Sequence, residues 1–598
     1  MNNKNNYEQS QLYKIRHSTE HVLMQAMQQL GFKFHMAMGP AIDDGFYFDF
    51  ELLEGEITEN DFGVIEKKMQ EIVDRKLDIT KQIVLQEKAK ELFKGNPYKL
   101  EWIEKFIQEK QELSVYYTGN REDKDSFVDL CSGPHVENTK DIKAFKLLSI
   151  AGAYWHGDEK NIMLTRIYGT AFESQQELDQ YLEMVEEAKK RDHRKLGKDL
   201  GLFVFSDVVG KGLPLWTARG ATIRRELERF IVDEEIKRGY QHVITPDIAK
   251  IELYEKSGHY PYYKDSMYAP IVDNDEQFML RPMTCPHHYE LYLSEPRSYK
   301  DLPMRIAEVA KLYRYEKSGE LTGLLRVRSF CLADAHIICA DPKQAKQEIS
   351  GALDLIEDIA QTFGLKMGEN YWYRLSLGNR EEDKKYFKDD AAWDESEEIL
   401  RQILKTRKAE YYEAENEAAF YGPKIDVQMK NILGKEDTAF TVQYDFVMPK
   451  RFKLTYTGQN GQDKEAIVVH RSSIGAIERI IGFLIEHFAG ALPVWLSPEQ
   501  VNIIPISDEQ GDYAKGILER LKENNIRASI NSDAETMQNK IRKAQEQKTP
   551  YMIIVGKKEV EQNLISVRLR TGENENNIKL EDFIERVVEN IKTKSLGL

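Results

Sequence analysis

The sequence is poor in cysteine and has neither a long apolar run nor a secretory leader. Four cysteines in 598 residues cannot form a disulfide framework, and so few indicate a reducing compartment such as the cytoplasm. The best candidate for a membrane span, residues 480–496, is interrupted by Glu486 and His487, so we expect no membrane-spanning helix. Residues 1–17 contain no apolar core, which argues against a secretory signal.

Charge and composition indicate a multidomain protein. Acidic residues outnumber basic ones by 100 to 84, and the net charge of −16 disfavours nonspecific coating of nucleic acids, although a local basic groove could still bind RNA. Apolar residues make up 41% of the chain, which is enough for several cores and excludes a largely disordered protein. At roughly 150 residues per domain the length predicts about four domains. These properties favour a cytoplasmic enzyme.

Two amphipathic helices are predicted from the spacing of apolar residues. Residues 8–30 form the first, and Gly31 stands where a C-terminal cap is expected. Residues 221–238 form the second, which ends at Gly239. The helix carries an apolar stripe that we expect a monomer to expose, and it therefore predicts a two-fold homodimer. The stripe consists of Ile223, Leu227, Phe230 and Ile231.

Changes in composition suggest three domains within an α+β fold. A polar helix at 177–198 has the charged sequence of a solvated linker. Long amphipathic helices then alternate with strands, and a small α/β pattern follows Pro498. The expected domains are residues 1–198, 199–497 and 498–598.

Residues 303–339 predict two antiparallel strands joined by a loop that contains Gly319 and Gly323. Because side chains alternate between the faces of a strand, we expect Arg314 and Glu316 to share one face. An arginine, carboxylates, an aromatic ring and a histidine on one sheet surface indicate a functional site rather than a core. The residues expected on one face of the return strand are Phe330, Leu332, Asp334 and His336.

This strand pair resembles motif 2 of the class II aminoacyl-tRNA synthetases. The helix at 221–238 and the following HVITP resemble motif 1, and residues 470–498 resemble motif 3, with Arg479 in an otherwise apolar helix. The segments LRPMTCPHH, EKSGHYPYYKDSMY, AFYGPKIDV and TVQYDF extend the match to the threonyl-tRNA synthetases of bacterial type. The resemblance covers nearly the whole chain. It implies a class II catalytic core built on an antiparallel sheet, with an α+β editing domain before it and an α/β anticodon-binding domain after it.

The resemblance implies a ligase that activates L-threonine with ATP and Mg²⁺, charges tRNA(Thr) and hydrolyses mischarged seryl-tRNA(Thr). Arginines suit the activation step because their planar, permanently charged side chains bind phosphates. By resemblance, Arg314 would hold the α-phosphate and the amino-acid carboxylate, and Lys424 would neutralise charge that develops in the transition state. His259 matches a residue linked to the transfer step, in which the ribose hydroxyl loses a proton. The other implied nucleotide contacts are Arg326 and Arg479 to the outer phosphates, Glu316 to the adenine amino group and Phe330 stacked on the base.

Cys285, His336 and His470 match the zinc ligands of the family, although their spacing alone would not indicate a metal site. Three protein ligands leave open coordination at one catalytic Zn²⁺ per chain, and in the family the amino and hydroxyl groups of threonine occupy it. A site that binds a hydroxyl group rejects nearly isosteric valine by on the order of ten-thousand-fold. Asp334 would accept the hydroxyl hydrogen. The resemblance adds Met283, Tyr421 and Gln443 to the lining of this pocket.

Serine also has a hydroxyl group, and its missing methyl group is worth only ~1–3 kcal/mol, so a second, hydrolytic site is expected. HSTEH places His17 and His21 one helical turn apart, and CSGPH places Cys131 and His135 together at a turn. A structural zinc site built from these four residues remains an alternative. The metalloprotease motif HExxH is excluded because Glu20 is in the wrong position. The resemblance assigns six residues to editing: His17, His21, Lys99, Asp129, Cys131 and His135.

The C-terminal domain is expected to bind the tRNA anticodon, and Glu559 and Arg568 match residues associated with that contact. Another class II synthetase is disfavoured, because prolyl and seryl types lack the three zinc ligands and alanyl types place the editing region after the core. An inactive, RNA-binding relative is disfavoured by the intact nucleotide-binding residues. Binding of a messenger leader as an additional activity remains open. The first helix begins so early that we expect no ubiquitin-like domain before the editing region.

Overall fold

The structure is a computed structural model that describes residues 7–123, 125–382, 384–431, 434 and 436–598. The chain forms two compact units, Met1–Glu186 and Glu187–Leu598. The division between them lies inside the helix Gln175–Arg191. The linker predicted as one helix is two helices, because Asp192 leaves the helical conformation (ψ 121°) and caps the second with its side chain. In the described part of the chain, no helix combines the length and the apolar character needed to span a bilayer.

A buried helix packed against an antiparallel sheet forms the centre of the first unit. This helix begins after Ser10, whose hydroxyl accepts a hydrogen bond from the Tyr13 N–H, and Gly31 follows it with φ +88°. All residues from 15 to 27 are buried, polar ones included, so these polar groups must find partners inside the unit. The helices are α1 (Gln11–Gln29), α2 (Phe62–Asp74), α3 (Gln86–Leu92) and α4 (Pro97–Gln108), and α5 (Gln175–Arg191) crosses the division. The strands are β1 (Phe34–Met38), β2 (Ala41–Ile42), β3 (Gly45–Leu52), β4 (Ile79–Ile83), β5 (Ser114–Thr118), β6 (Phe127–Leu130), β7 (Ala144–Tyr154) and β8 (Met163–Phe172).

The strands of the first unit form two sheets. One has the order β1-β3-β8-β7, with β2 paired to β3, and the other has the order β4-β5-β6. The α1 helix packs against β3 and β8, and its apolar side chains join Phe46, Phe48 and Phe50 of β3 in one core.

The first part of the second unit is built on a large, mainly antiparallel sheet and also contains smaller sheets. Its strands are β9 (Phe203–Val204), β10 (Leu215–Trp216), β11 (Gln241–His242), β12 (Ile248–Lys250), β13 (Ile271–Asp273), β14 (Glu276–Leu280), β15 (Met304–Tyr313), β16 (Ser329–Cys339), β17 (Tyr371–Ser376), β18 (Tyr411–Ala414), β19 (Lys424–Lys430), β20 (Glu436–Asp445), β21 (Thr455–Thr457), β22 (Asp463–Glu465) and β23 (Ile467–Ala476). Its helices are α6 (His193–Asp199), α7 (Ala218–Lys237), α8 (Ile251–Ser257), α9 (His259–Tyr262), α10 (Cys285–Leu293), α11 (Pro342–Thr362), α12 (Asp390–Arg407), α13 (Met448–Phe452) and α14 (Ile477–His487). The large sheet has the order β11-β15-β16-β23-β20-β19-β17-β18, and α11 and α14 pack on it.

Two predictions about the motifs are wrong. Strand β15 ends at Tyr313, so Arg314 and Glu316 lie in the loop beyond it rather than on a shared strand face. The apolar stripe of the motif 1 helix α7 is buried within the chain, where it packs into the core of the second unit, so a monomer does not expose it. Periodicity shows that a helix has an apolar face, but it does not show which surface covers that face.

The end of the second unit contains a small mixed sheet of the order β25-β24-β26-β27-β28. Its elements are β24 (Val501–Pro505), α15 (Gly511–Glu523), β25 (Ala528–Ile530), α16 (Met537–Glu546), β26 (Tyr551–Val555), α17 (Lys557–Gln562), β27 (Ile565–Leu569), β28 (Asn574–Ile578) and α18 (Leu580–Thr593). Among these elements, α17 and β28 have no sequence pattern that would predict them. Both are short and polar, and β28 lies at the sheet edge, where no apolar alternation is required.

Candidate functional site

A cavity of about 680 Å³ is lined by residues from β16, β20, β23 and α14 in the second unit. It brings together nearly all the residues expected for activation and transfer. The exception is Lys424, which starts β19 opposite Gln443 of β20 and whose ammonium group binds the Asp426 carboxylate. The predicted residues that line the cavity are His259, Met283, Cys285, Arg314, Glu316, Arg326, Phe330, Asp334, His336, Tyr421, Gln443, His470 and Arg479.

Cys285, His336 and His470 meet within this cavity. One ligand atom of each residue lies within 4.8 Å of the other two. Strand pairing explains why residues so distant in sequence meet, because His336 of β16 stands directly opposite His470 of β23. Cys285 is the first residue of α10. One sulfur and two imidazole nitrogens form a donor set that suits zinc.

The surroundings of Cys285 and His336 affect the two side chains differently. Burial raises the pKa of the Cys285 thiol well above its ordinary value, and the Asp334 and Asp445 carboxylates raise it further. Burial lowers the pKa of the His336 imidazole well below its ordinary value. The imidazole is therefore neutral, as a metal ligand must be, whereas a thiolate in this acidic surrounding needs a bound cation for its stability.

A buried carboxylate that the sequence prediction missed orients His470. The Asp445 Oδ2 atom lies 2.7 Å from His470 Nε2, and a carboxylate there accepts the Nε2–H of the ring. The other oxygen, Oδ1, accepts hydrogen bonds of 2.9 Å from the backbone N–H groups of Val447 and Met448. Asp445 is thus fixed by the backbone, and Nδ1 is the His470 nitrogen that remains unprotonated for a metal.

A second relay, also missed, orients His336. His288 Nε2 lies 3.3 Å from Glu308 Oε2 and donates to that carboxylate, so His288 Nδ1 is an acceptor. His336 Nδ1 lies 2.8 Å from it and therefore carries the proton that it donates, which leaves His336 Nε2 for a metal. Although burial opposes it, hydrogen bonds from His288 and Thr245 lower the pKa of Glu308 to about 2. The quoted segments LRPMTCPHH and TVQYDF contain His288 and Asp445, but their sequence gives no sign of these contacts.

The residues expected to surround the threonine side chain form a compact polar wall. Asp334 is buried and accepts a hydrogen bond from the Thr284 hydroxyl. The Tyr421 hydroxyl donates to Gln443 Oε1 at 2.6 Å, and the Tyr421 ring stacks on His470 with ring centroids 4.9 Å apart. These contacts place a carboxylate and a hydrogen-bonded phenol beside the three candidate metal ligands.

The nucleotide residues form a second group in the same cavity. The Arg314 guanidinium donates to the Pro282 carbonyl at 3.2 Å and lies 5.3 Å from the centre of the Phe330 ring. Arg326 donates to Glu316 at 2.9 Å. The resemblance assigns these two groups to different parts of ATP, Arg326 to the outer phosphates and Glu316 to the adenine amino group. Here they bind each other instead.

Arg479 is fixed by two backbone carbonyl groups. Its Nε–H donates to Leu325 O at 3.0 Å, and its NH1 group donates to Thr438 O at 2.8 Å. The guanidinium is thus held between the loop that follows β15 and the strand β20, which is a rigid way to present positive charge to phosphates.

His259 is buried beside the cavity in its neutral form. Burial and the charges of His470, Arg451 and Arg314 lower its pKa to about 3. The Ser257 hydroxyl donates to Tyr254 O, so it accepts from His259 Nδ1–H at 2.8 Å. The ring therefore presents an unprotonated Nε2, which suits acceptance of a hydrogen bond better than full removal of a proton.

The N-terminal cluster lies in the first unit. Cys131 Sγ lies 3.3 Å from His17 Nε2 and 3.2 Å from His135 Nε2. Lys99 Nζ binds Asp129 Oδ1 at 2.7 Å, and Asp129 Oδ2 lies 3.9 Å from His21 Nε2. All six residues predicted for editing are therefore in one place. One ligand atom each of His17, His21, Cys131 and His135 also lies within 4.8 Å of the other three, so the metal alternative stays open.

The cluster includes one acid that the prediction did not assign. Glu20 is buried, and its Oε1 lies 3.2 Å from His17 Nε2, while the His17 Nδ1–H donates to Pro134 O at 3.0 Å. Burial and the nearby Asp129 carboxylate raise the pKa of Glu20 well above its ordinary value. Burial also lowers the pKa of His21 and that of His135, so both stay neutral.

The two residues expected to contact the anticodon belong to α17 and β27. Glu559 accepts hydrogen bonds from the Gly556 N–H at 3.0 Å and from the Ser566 hydroxyl at 2.9 Å, and Arg568 donates to Asn574 at 2.9 Å. A separate cavity of about 990 Å³, lined by residues that follow β24 and β25 and by residues of α16, does not include either one.

Three family models match the chain. The class II core domain of tRNA synthetases (G, H, P, S and T) matches residues 268–488, and the anticodon binding domain matches residues 500–590. The second additional domain of threonyl- and alanyl-tRNA synthetases matches residues 113–168, which include Cys131 and His135.

Full-length relatives and solved structures agree with these models. The chain is 46% identical to the threonine–tRNA ligase of Staphylococcus carnosus over 97% of its own length and 88% of that protein. It is 46% identical to that of Streptococcus gordonii over 97% and 89%. A structure titled the RNA binding domain of threonyl-tRNA synthetase from Cryptosporidium parvum is 33% identical, with a TM-score of 0.62, and the match covers 68% of this chain and 98% of that one. A putative threonyl-tRNA synthetase from Aeropyrum pernix is 28% identical, with a TM-score of 0.60, over 68% and 97%. The chain therefore belongs to the threonyl-tRNA synthetase family of class II aminoacyl-tRNA synthetases.

Proposed function

We propose that the second unit activates L-threonine with ATP and transfers it to tRNA(Thr), using the residues of the 680 Å³ cavity. The observation that carries this proposal is the placement of Cys285, His336 and His470 in the same cavity as Arg314 and Arg479. A candidate metal site for an amino acid with a hydroxyl group thus lies in the same cavity as the arginines that would bind the phosphates of ATP.

Zinc would be held by Cys285 Sγ, His336 Nε2 and His470 Nδ1, and when bound it supplies open coordination for the amino and hydroxyl groups of threonine. Asp334 would accept the hydroxyl hydrogen of the substrate in place of that of Thr284. Valine offers no hydroxyl group, so it could neither donate to Asp334 nor supply a hydroxyl oxygen to the metal, and it would lose both interactions.

Arg314 and Arg479 would bind the ATP phosphates, accompanied by Mg²⁺. Their guanidinium groups are held by Pro282 O in one case and by Leu325 O and Thr438 O in the other, so they are oriented before the nucleotide binds. Arg326 and Glu316 would separate, the arginine turning to the outer phosphates and the carboxylate to the adenine amino group. Lys424 would act only after its ammonium group leaves Asp426.

In the transfer step, His259 Nε2 would accept a hydrogen bond from the ribose hydroxyl. The pKa of His259 is about 3, so the imidazole is a weak base and would mainly orient the hydroxyl. It would assist loss of the hydroxyl proton only as the phosphate of AMP departs with its negative charge. The first unit would hydrolyse seryl-tRNA(Thr) through its N-terminal cluster, and Glu559 and Arg568 would contact the anticodon.

The proposed domains are the editing region with its linker at 1–198, the catalytic core at 199–497 and the anticodon-binding domain at 498–598. The family models matched to 113–168, 268–488 and 500–590 support this order. All four cysteines are free, which suits work in the reducing cytoplasm.

Pyrophosphate exchange with threonine, serine and valine tests the activation step. Threonine should support rapid exchange and serine measurable exchange, because both offer a hydroxyl group to the same site. Valine should be poorer than threonine by on the order of ten-thousand-fold in kcat/KM. Comparable exchange with valine and threonine would contradict a hydroxyl-reading site.

Two exposed apolar residues in the motif 1 region, rather than the buried stripe of α7, support a homodimer. Ile236, near the end of α7, is 55% exposed, and Ile244 is 96% exposed in the segment that follows β11. Two large apolar side chains this exposed in the motif 1 region favour a covering partner, and a second copy of the chain is the partner that the motif implies.

Ile244→Asp should shift the protein from dimer to monomer in sedimentation equilibrium, because burial of a carboxylate in an apolar contact is unfavourable. Ile248→Asp, at a residue 45% exposed in the same segment, is the matched comparison. A wild-type protein that sediments as a stable, fully active monomer would contradict the proposal.

A further inference from the structure

A histidine of the linker region is joined by hydrogen bonds to the loop that carries Arg326. His193, the first residue of α6, is 1% exposed. Its Nε2 atom lies 3.0 Å from the Leu324 backbone nitrogen and accepts the N–H. Its Nδ1 atom lies 2.7 Å from Glu486 Oε1, in the last turn of α14, and donates to that carboxylate.

Two glycines lie beside the ring, and one of them, Gly323, leaves space that the ring occupies. A Cβ atom at Gly323 (φ +48°) would lie 2.1 Å from His193 Nε2, and one at Gly482 would lie 3.5 Å from His193 Cδ2. The first contact is far shorter than real Cβ atoms show, so a side chain at residue 323 would displace the buried ring or the loop. The loop can therefore approach the imidazole only because residue 323 has no side chain.

The bonded amide lies in the middle of a tight turn. Leu325 N–H donates to Thr322 O at 2.8 Å, and Arg326 N–H donates to the same oxygen at 3.2 Å. The Leu324 N–H is bonded instead to His193, and the Leu325 carbonyl accepts from Arg479. The turn at 322–326 is thus held from one side by His193 and from the other by Arg479.

A metal site is the competing interpretation, because Asp192, His193 and Glu486 also place ligand atoms within 4.8 Å of one another. Both ring nitrogens of His193 are already engaged, one as donor and one as acceptor. Asp192 accepts hydrogen bonds from the Arg194 backbone and pairs with the Arg194 side chain. The group is therefore satisfied without an ion.

We propose that His193 is a positioning residue for ATP: through the Leu324 amide it fixes the turn at 322–326 and so sets the places of Arg326 and Arg479. The proposal rests on the function proposed above for these arginines. His193 touches neither substrate nor the reacting atoms in this scheme. Its effect should appear in the use of ATP and not in the binding of threonine, because the candidate zinc ligands do not contact this turn.

Two substitutions separate the two hydrogen bonds of the ring. His193→Gln places an acceptor where Nε2 lies and keeps the bond to Leu324, while His193→Asn places a donor where Nδ1 lies and keeps only the bond to Glu486. His193→Asn should raise KM for ATP by about tenfold, since a buried N–H is left unpaired, with KM for threonine unchanged. His193→Gln should restore KM for ATP to within about threefold of wild type. His487→Asn, at a histidine of α14 whose ring stacks on Phe483, should leave both constants unchanged.

Hydrogen exchange of the 318–328 segment gives a readout that does not depend on activity. Protection of this segment should fall in His193→Asn and return in His193→Gln, at similar melting temperatures. The wild-type protein could show no pyrophosphate exchange while the two variants still gave this pattern of protection. In that case the proposed activation of threonine would be wrong, and the role of His193 in fixing the turn would stand. Unchanged protection and unchanged KM for ATP in His193→Asn would overturn the proposal. An equal rise in KM for ATP and threonine in both variants, with a lower melting temperature, would also overturn it, because that is the result of a purely structural role.

Discussion

Replacing Cys285 by serine should empty the proposed metal site of the second unit and abolish the proposed threonine activation. Cys285 supplies the sulfur of the three-ligand set with His336 and His470. A serine hydroxyl keeps its proton at neutral pH and is a poor zinc ligand, so two imidazoles alone must hold the ion. We expect about one zinc per chain to be lost from this unit and threonine-dependent exchange to fall by at least about a hundredfold.

The control is Cys339→Ser, at a buried cysteine of β16 whose thiol donates to the Ile337 carbonyl. It should keep its zinc and its exchange activity. The measurements are metal content by atomic absorption, exchange with threonine, and melting temperature. Retained zinc with normal exchange in Cys285→Ser would show that the cluster is not the activation site.

Asp445→Asn tests the same site one contact further out. The carboxylate accepts hydrogen bonds on both oxygens, from His470 on one and from two backbone N–H groups on the other. An amide has only one oxygen, so one of these donors must face an NH₂ group. Zinc affinity measured by chelator competition should fall by about 10- to 100-fold. Unchanged affinity would mean that Asp445 does not orient the ligand.

Motif resemblance predicted most of the named residues that line the 680 Å³ cavity, but it did not predict their arrangement. His336 and His470 meet because β16 and β23 are neighbours in the sheet, and no periodicity in either strand shows that pairing. Strand alternation placed Arg314 and Glu316 on one face, which fails because the strand ends at Tyr313 and the loop follows different geometry.

Contacts between polar groups that are far apart in the chain could not be predicted from any pattern in the sequence. His193 belongs to a charged segment that is typical of a solvated linker, yet its partner Glu486 is 293 positions away. Glu20 is in the wrong position for the metalloprotease motif, and its burial beside His17 depends on the packing of α1 against the sheet. Apolar patterns predict which face is buried, whereas a buried polar group is explained only by the particular partner that it meets.

The double variant His17→Ala with Cys131→Ala should separate editing from activation. Both residues belong to the N-terminal cluster of the first unit, whereas Arg314, Arg479 and the three candidate zinc ligands belong to the second unit. Threonine activation should therefore change by less than about twofold, since sites that share no contacts act almost independently. Survival of pre-formed seryl-tRNA should lengthen by about a hundredfold or more, because His17, Cys131 and His135 form one hydrogen-bonded group.

The same variant decides between hydrolysis and a structural metal. If the cluster is a closed zinc site, the wild type should carry about two zinc ions per chain, and the variant should lose one together with the stability of the first unit, because metal binding is then part of its folding free energy. If the cluster serves editing alone, zinc content should stay near one per chain and the melting temperature should change little. His156→Ala, at an exposed histidine of the first unit that pairs with Glu101, is the control for loss of a histidine there. Rapid hydrolysis of seryl-tRNA by a well-folded double variant would refute the editing role, because the reaction would then proceed without His17 and Cys131.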